Sequence, residues 1–137
     1  MDDEEGIRLL AEAMLNDMGY EALVTRNGDE AVLYFIKERE AGRPFDIVIL
    51  DLKVPEGMGG EEAVKRLLEI DPQVRAIVSS GMANTPIMNE FRKYGFSGVL
   101  PKPYSREDLD EILAGVLAGP GAIDSQLDAG TPLIQPL

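Results

Sequence analysis

Hydrophobic positions change period several times along the chain. From Gly6 to Met18, residues Ile7, Leu10, Ala11, Met14, Leu15 and Met18 recur at helical spacing. That predicts an amphipathic helix, and Gly19 stands where a C-terminal glycine ends one. Glu21–Thr25 reads as a short strand. Asn27-Gly28-Asp29 is a turn, and Asp29–Glu40 is a second helix with Ala31, Val32, Phe35 and Ile36 on one face. Gly42-Arg43-Pro44 breaks it. Ile47-Val48-Ile49-Leu50 is a continuous apolar run ending at Asp51, the pattern of a strand buried on both faces of a parallel sheet. A glycine-rich loop, Pro55–Gly60, leads to a third helix, Glu61–Ile70, closed by Asp71-Pro72. Ala76–Ser79 is another buried strand, Thr85–Tyr94 a fourth helix with Pro86 in its first turn, and Gly98–Leu100 a last short strand. Ser105 caps a fifth helix that runs to about Ala118. Asp108 takes the capping-box position in place of the usual Glu or Gln. Gly119–Leu137 shows no period and is expected to be a tail outside the core.

Helices and strands in alternation predict an α/β fold on a parallel sheet, in which sites form at the carboxyl ends of strands. Asp51, Ser80 and Lys102 each fall at or just past such an end. The 137 residues suit one domain, 1–118, followed by the tail 119–137.

Composition narrows the chemistry. There is no cysteine and no histidine, which removes disulfides, thiolate metal sites, a cysteine nucleophile and histidine acid–base work on this chain. With 13 Lys and Arg against 25 Asp and Glu, the net charge is −12. Such a chain repels nucleic-acid phosphates and suits hard cations and protein partners. No apolar run is long enough to span a membrane, and the acidic start Asp2-Asp3-Glu4-Glu5 is unlike a signal peptide, so a cytoplasmic location is expected.

The acids carry the chemistry. Asp2 and Asp3 precede the first helix, where the helix dipole alone would favour them. Asp51 abuts the most hydrophobic strand, where a carboxylate is costly unless paired or metal-bound. Three converging carboxylates would make an oxygen-only site for a hard cation, and a carboxylate can itself accept a phosphoryl group. Ser80 could donate to a phosphoryl oxygen. Lys102, held between Pro101 and Pro103, could pair with either the acids or the phosphoryl.

These residues resemble a receiver domain of two-component signalling. The resemblance covers Asp2 to about Ala118. It rests on Asp2-Asp3-Glu4, on Ile47–Leu52 with Pro55, on Ser79-Ser80-Gly81 and on Lys102-Pro103, in that order. Gly57–Gly60 and Gly95–Gly98 most resemble receivers at the C-termini of hybrid sensor kinases. The resemblance implies a flavodoxin-like three-layer fold with strand order 2-1-3-4-5. It implies Asp51 as phosphoacceptor, Mg²⁺ or Mn²⁺ bound directly by Asp3 and Asp51 and by Asp2 more through water, and the Lys53 carbonyl as a further ligand. Ser80 would be the switch hydroxyl, Gly81 would leave room for the phosphoryl, and Lys102 would contact it. Lys102–Pro103 would be a cis peptide. The partner would be a histidine kinase or histidine phosphotransfer domain, and the chain would be no standalone enzyme.

Two alternatives and two departures from the family pattern bear on this reading. An aspartyl-nucleophile phosphatase needs a second acid where Lys53 stands. A receiver-like interaction module that no longer phosphorylates is the alternative the same fold allows. Val99 occupies the place of an aromatic switch residue, which argues against an aromatic rotamer switch. The resemblance also puts a buried strand directly ahead of the acidic pair, and this sequence has only Met1 there. The expected remedy is a homodimer in which a second copy fills the slot. The runner-up is the chain's own Leu133-Ile134-Gln135, limited by Pro132 and Pro136.

Overall fold

The structure is a computed structural model that describes residues 1–82 and 84–118 and the strand 133–135. Its helices are α1 (Glu5–Asp17), α2 (Gly28–Glu40), α3 (Gly60–Ile70), α4 (Pro86–Asn89) and α5 (Arg106–Leu117). Its strands are β1 (Glu21–Ala22), β2 (Ile47–Asp51), β3 (Ala76–Ser80), β4 (Gly98–Pro101) and β5 (Leu133–Gln135). They form one sheet, ordered β1-β5-β2-β3-β4, in which every pair is parallel.

The Ile47–Leu50 run is apolar throughout because each face meets a different layer. Val48 and Leu50 pack with Ala31 and Phe35 of α2 and with Ala63, Val64 and Leu67 of α3. Ile47 and Ile49 pack on the other face with Leu15 of α1 and with Leu109, Leu113 and Val116 of α5. Side chains alternate across a strand, so a central strand between two helical layers admits no polar position until it ends. It ends at Asp51.

The sequence expectations hold for the parallel α/β architecture and for the order of the elements, and differ in four places. First, the slot expected to take a second copy holds Leu133–Gln135 of the same chain, between β1 and β2. A three-residue segment can contribute ladder bonds without a longer apolar run, so the tail supplies a strand to the domain that 1–118 was expected to form alone. Second, β1 is only Glu21–Ala22, because its ladder partners are Leu133 and Ile134 and no more. Third, the fourth helix stops at Asn89. Glu90 leaves helical dihedrals (φ −123°, ψ 41°), and Phe91–Tyr94 form a 3-10 turn closed by Gly95 at φ +95°. Fourth, Asp108 completes the capping box as well as a longer acid would. Ser105 Oγ accepts from Asp108 N–H at 3.1 Å, and the Asp108 carboxylate accepts from Ser105 N–H at 2.9 Å.

Candidate functional site

Three chain segments converge at the carboxyl end of the sheet. β2 delivers Asp51, 6% exposed. The chain start delivers Met1 and Asp2, both fully buried, and Asp3, which is exposed. The turn after β4 delivers Lys102, on the N-terminal side of a cis peptide to Pro103, as the resemblance implied.

Backbone bonds hold these pieces in register. The Met1 α-amino group donates to the Ile49 carbonyl at 2.7 Å, and Asp51 N–H donates to the Met1 carbonyl at 2.9 Å. Asp2 N–H donates to the Thr25 carbonyl at 3.1 Å, and Lys102 N–H to the Ser80 carbonyl at 2.9 Å. One Asp2 carboxylate oxygen also accepts from Glu4 N–H at 2.9 Å, in the turn just ahead of α1. Arg8 donates to the Asp2 carbonyl at 2.8 Å.

The carboxylates of Asp2, Asp3 and Asp51 offer oxygen atoms within 4.8 Å of one another. Lys102 Nζ bridges two of them, lying 3.2 Å from Asp51 Oδ1 and hydrogen-bonded to Asp2 Oδ2. Burial pushes the Asp51 carboxyl up to about 7, helped by the charge of Asp2 and a hydrogen bond with Asp3 and opposed by Lys102. Burial also works against the charge on Lys102, but its hydrogen bond to Asp2 and the charges of Asp51 and Asp2 outweigh it and hold its pKa above the usual value. At the Met1 α-amino group burial wins, and its pKa falls well below the ordinary value despite Asp2 and Asp51.

Such a donor set fits a hard divalent cation. It is all oxygen and carries excess negative charge, in a buried setting that disfavours the free Asp51 carboxylate. Mg²⁺ takes one or a few carboxylates and fills the rest of its shell with water and substrate oxygen.

Ser80 ends β3 beside this pocket, 6% exposed. Its Oγ accepts from Met82 N–H at 3.1 Å, which leaves the hydroxyl proton for another acceptor. A Cβ built at Gly81 meets nothing within 4 Å, so there is room beside Ser80. Lys53 follows Asp51 by two residues, in the loop that Leu52 and Gly60 anchor. Leu52 N–H donates to the Ser79 carbonyl at 2.9 Å, and Gly60 N–H to the Leu52 carbonyl at 3.2 Å. A Cβ at Gly60 would lie 2.6 Å from the Asp51 carbonyl oxygen, so only glycine lets α3 start against the end of β2. Val99, in the place of an aromatic switch, is half-buried in β4.

Sequence reasoning missed Met1 and Tyr104. Burial, with the charges of Asp2 and Asp51 behind it, raises the Tyr104 phenol well above its usual range. Its place directly after Lys102-Pro103 was the available signal. Met1 gave none, because its role depends on which strands flank it.

Fold and site together define a class: a doubly wound α/β domain with an acidic pocket at the carboxyl ends of its strands. Comparison with known proteins gives the family. Residues 1–114 match the profile of the response regulator receiver domain. Sporulation initiation phosphotransferase F of Bacillus subtilis is 35% identical over 112 residues, covering 82% of this chain and 83% of that protein. Chemotaxis protein CheY of Thermotoga maritima is 33% identical over 114 residues, covering 82% and 90%. The crystallised chemotaxis protein CheY4 of Vibrio cholerae superposes with a TM-score of 0.74 at 30% identity, over 85% of this chain and 93% of that one. The chain belongs to the response regulator receiver family of two-component signalling. Among the described residues no helix is long and apolar enough to cross a membrane.

Proposed function

We propose that this receiver is a phosphoacceptor in a phosphorelay, taking a phosphoryl group from a phosphohistidine of a histidine kinase or phosphotransfer partner onto Asp51. The observation that carries this reading is Asp51 itself, a strand-end carboxylate held between Lys102 at 3.2 Å and the two acids Asp2 and Asp3. In the transfer, an Asp51 oxygen bonds to phosphorus as the phosphorus–nitrogen bond to the partner's imidazole breaks. The imidazole keeps the electron pair and takes a proton from water.

Asp2, Asp3, Asp51 and the Lys53 carbonyl would hold Mg²⁺, or Mn²⁺ in its place. When bound, that ion neutralises charge on the transferring phosphoryl oxygens. Lys102 then has a new acceptor. It leaves the Asp2–Asp51 bridge for a phosphoryl oxygen, and the Ser80 hydroxyl donates to another. Both groups sit on the β3–β4 side of the site, and Lys102 is tied through its backbone to Ser80. Their shift carries the phosphorylation state to the segment that follows Ser80. The chain supplies the acceptor and the metal site, works as a cytoplasmic module, and contacts nucleic acid only through partners.

A small-molecule phosphodonor with Mg²⁺ tests this directly. Mass spectrometry should find one phosphoryl adduct, on Asp51, that is lost on chelation of Mg²⁺ and in Asp51→Asn. An adduct elsewhere, or none, would leave a receiver-like interaction module in its place.

A further inference from the structure

Ser79 is a buried hydroxyl that the transfer does not use. It is fully enclosed, and its Oγ donates to the Leu100 carbonyl at 2.9 Å. The register puts it in one row with the acceptor: Asp51 of β2 lies opposite Ser79 of β3, and Ser79 lies opposite Leu100 of β4. Side chains alternate along a strand, so residues two apart share a face. Ile49 and Ile77 both pack in the layer of α1 and α5, and Leu100 packs there too. Asp51 and Ser79, each two residues further on, turn to that same face. The neighbouring serines are therefore used differently. Ser80 Oγ accepts from Met82 N–H and keeps its proton for another acceptor, whereas Ser79 has spent its proton on β4.

We propose that Ser79 is a positioning residue for Lys102, pinning β4 to the row of Asp51 so that the lysine can cross β3 and reach the phosphoacceptor. Lys102 stands just past β4 and Asp51 ends β2, with β3 between them. Two strand spacings of about 4.8 Å separate the two backbones. Lys102 Nζ still lies 3.2 Å from Asp51 Oδ1, so its side chain spans the end of β3. The backbone that carries it has few ties. Pro101 and Pro103 have no N–H, so Lys102 N–H is the one backbone donor between Leu100 and Tyr104, and it is spent on the Ser80 carbonyl. The Ser79 side chain adds a second tie, to Leu100, two residues before the lysine. Its small size also suits a place that a long side chain must cross. During transfer Lys102 changes acceptor and Ser80 gives its proton to the phosphoryl. The Ser79–Leu100 bond uses neither group, so it keeps β3 and β4 in register while they act. The effect on transfer rests on the function proposed above, whereas the hold on Lys102 does not.

The test reads two amides that flank β3 in the full chain. Lys102 N–H donates to the Ser80 carbonyl on the β4 side, and Leu52 N–H donates to the Ser79 carbonyl on the β2 side, each at 2.9 Å. Ser79→Ala removes the side-chain tie and leaves both backbone bonds in place. Hydrogen exchange at Lys102 should quicken about tenfold and exchange at Leu52 should not, which a general loss of stability would not reproduce. With a small phosphodonor at saturating Mg²⁺, phosphorylation of Asp51 should slow about fivefold. Mg²⁺ affinity, read by calorimetry, should not weaken, because Lys102 is no metal ligand. Ser79→Val also adds bulk beneath the lysine and should be slower still. If Ser79→Ala does not fold, Ser79→Cys, close in size and a weak donor, carries the same readings. Equal quickening at both amides, or none, would overturn the proposal, as would a parallel fall in Mg²⁺ affinity or a Ser79→Val no slower than Ser79→Ala. A wild-type chain that takes no phosphoryl group, with the Lys102 amide alone released in Ser79→Ala, would remove the phosphoacceptor reading and leave the hold on Lys102 standing.

Discussion

Asp51 combines two demands that pull apart, because the same burial that shields an acyl phosphate disfavours the free carboxylate. With its carboxyl pushed up to about 7, much of the metal-free protein carries Asp51 protonated at neutral pH. A cation must displace that proton. Mg²⁺ affinity should therefore climb about tenfold per pH unit below about 7 and level off above it, as calorimetry across pH 5.5–8.5 would show. A flat profile would mean that Asp51 is not a ligand. The stability of the metal-free protein follows the opposite sign. Between the unfolded value of 3.8 and about 7, the folded chain keeps a proton that the unfolded chain has released. Stability from this group is present below 3.8 and lost as pH rises to about 7. Urea titrations of wild type and Asp51→Asn should diverge in that window. The shift at Met1 acts in the other direction and is common to both chains. Asp51, Ser80 and Lys102 were legible from sequence because each falls at or just past a strand end, whereas Asp2 and Asp3, read from the pattern alone as acids ahead of a helix, gained their role from the resemblance. Which of Asp2 and Asp3 is buried was not legible, since that depends on the side of the slot each faces: Asp2 is enclosed beneath Lys102, and Asp3 is exposed.

At the scale of elements, the join between β2 and α3 is tight enough to be tested with single methyl groups. Gly60→Ala would put a Cβ 2.6 Å from the Asp51 carbonyl oxygen, a contact with backbone that cannot swing away. It should destabilise the fold by roughly 1–3 kcal/mol and slow phosphorylation, because the displaced atom belongs to the acceptor residue. Gly115→Ala, on an exposed turn of α5 with nothing within 4 Å, should instead stabilise by about 0.5–1 kcal/mol. Chemical denaturation with the phosphodonor assay separates the two, and equal effects would contradict the packing described. Elements with a clear period, such as Ile47–Leu50 or α3, could be read directly. Leu133–Gln135 could not be committed to the sheet, for three residues carry no period and Pro132 and Pro136 count against a central strand. The early stop of α4 at Glu90 was also hidden, because Phe91 and Tyr94 keep helical spacing while the backbone between them tightens.

For the molecule as a whole, the net charge of −12 acts on every equilibrium. Its self-repulsion is long-ranged and screened by any salt, whereas the pocket acts at contact distance and selects a divalent ion. Raising NaCl from ~0.01 M to ~1 M should stabilise wild type and Asp51→Asn alike. Millimolar Mg²⁺ against a constant salt background should further stabilise wild type alone, by about 1.4 kcal/mol at ten times its dissociation constant. Equal Mg²⁺ responses in both chains, followed by urea unfolding, would reduce the ion to a screening role. The direction of β2, which runs from the loop after α2 up to Asp51, has a practical consequence for anyone who handles the protein. The exposed turn Ala41–Pro44, between α2 and β2 and at the end of the sheet away from Asp51, is where a label or tether would disturb the signalling site least.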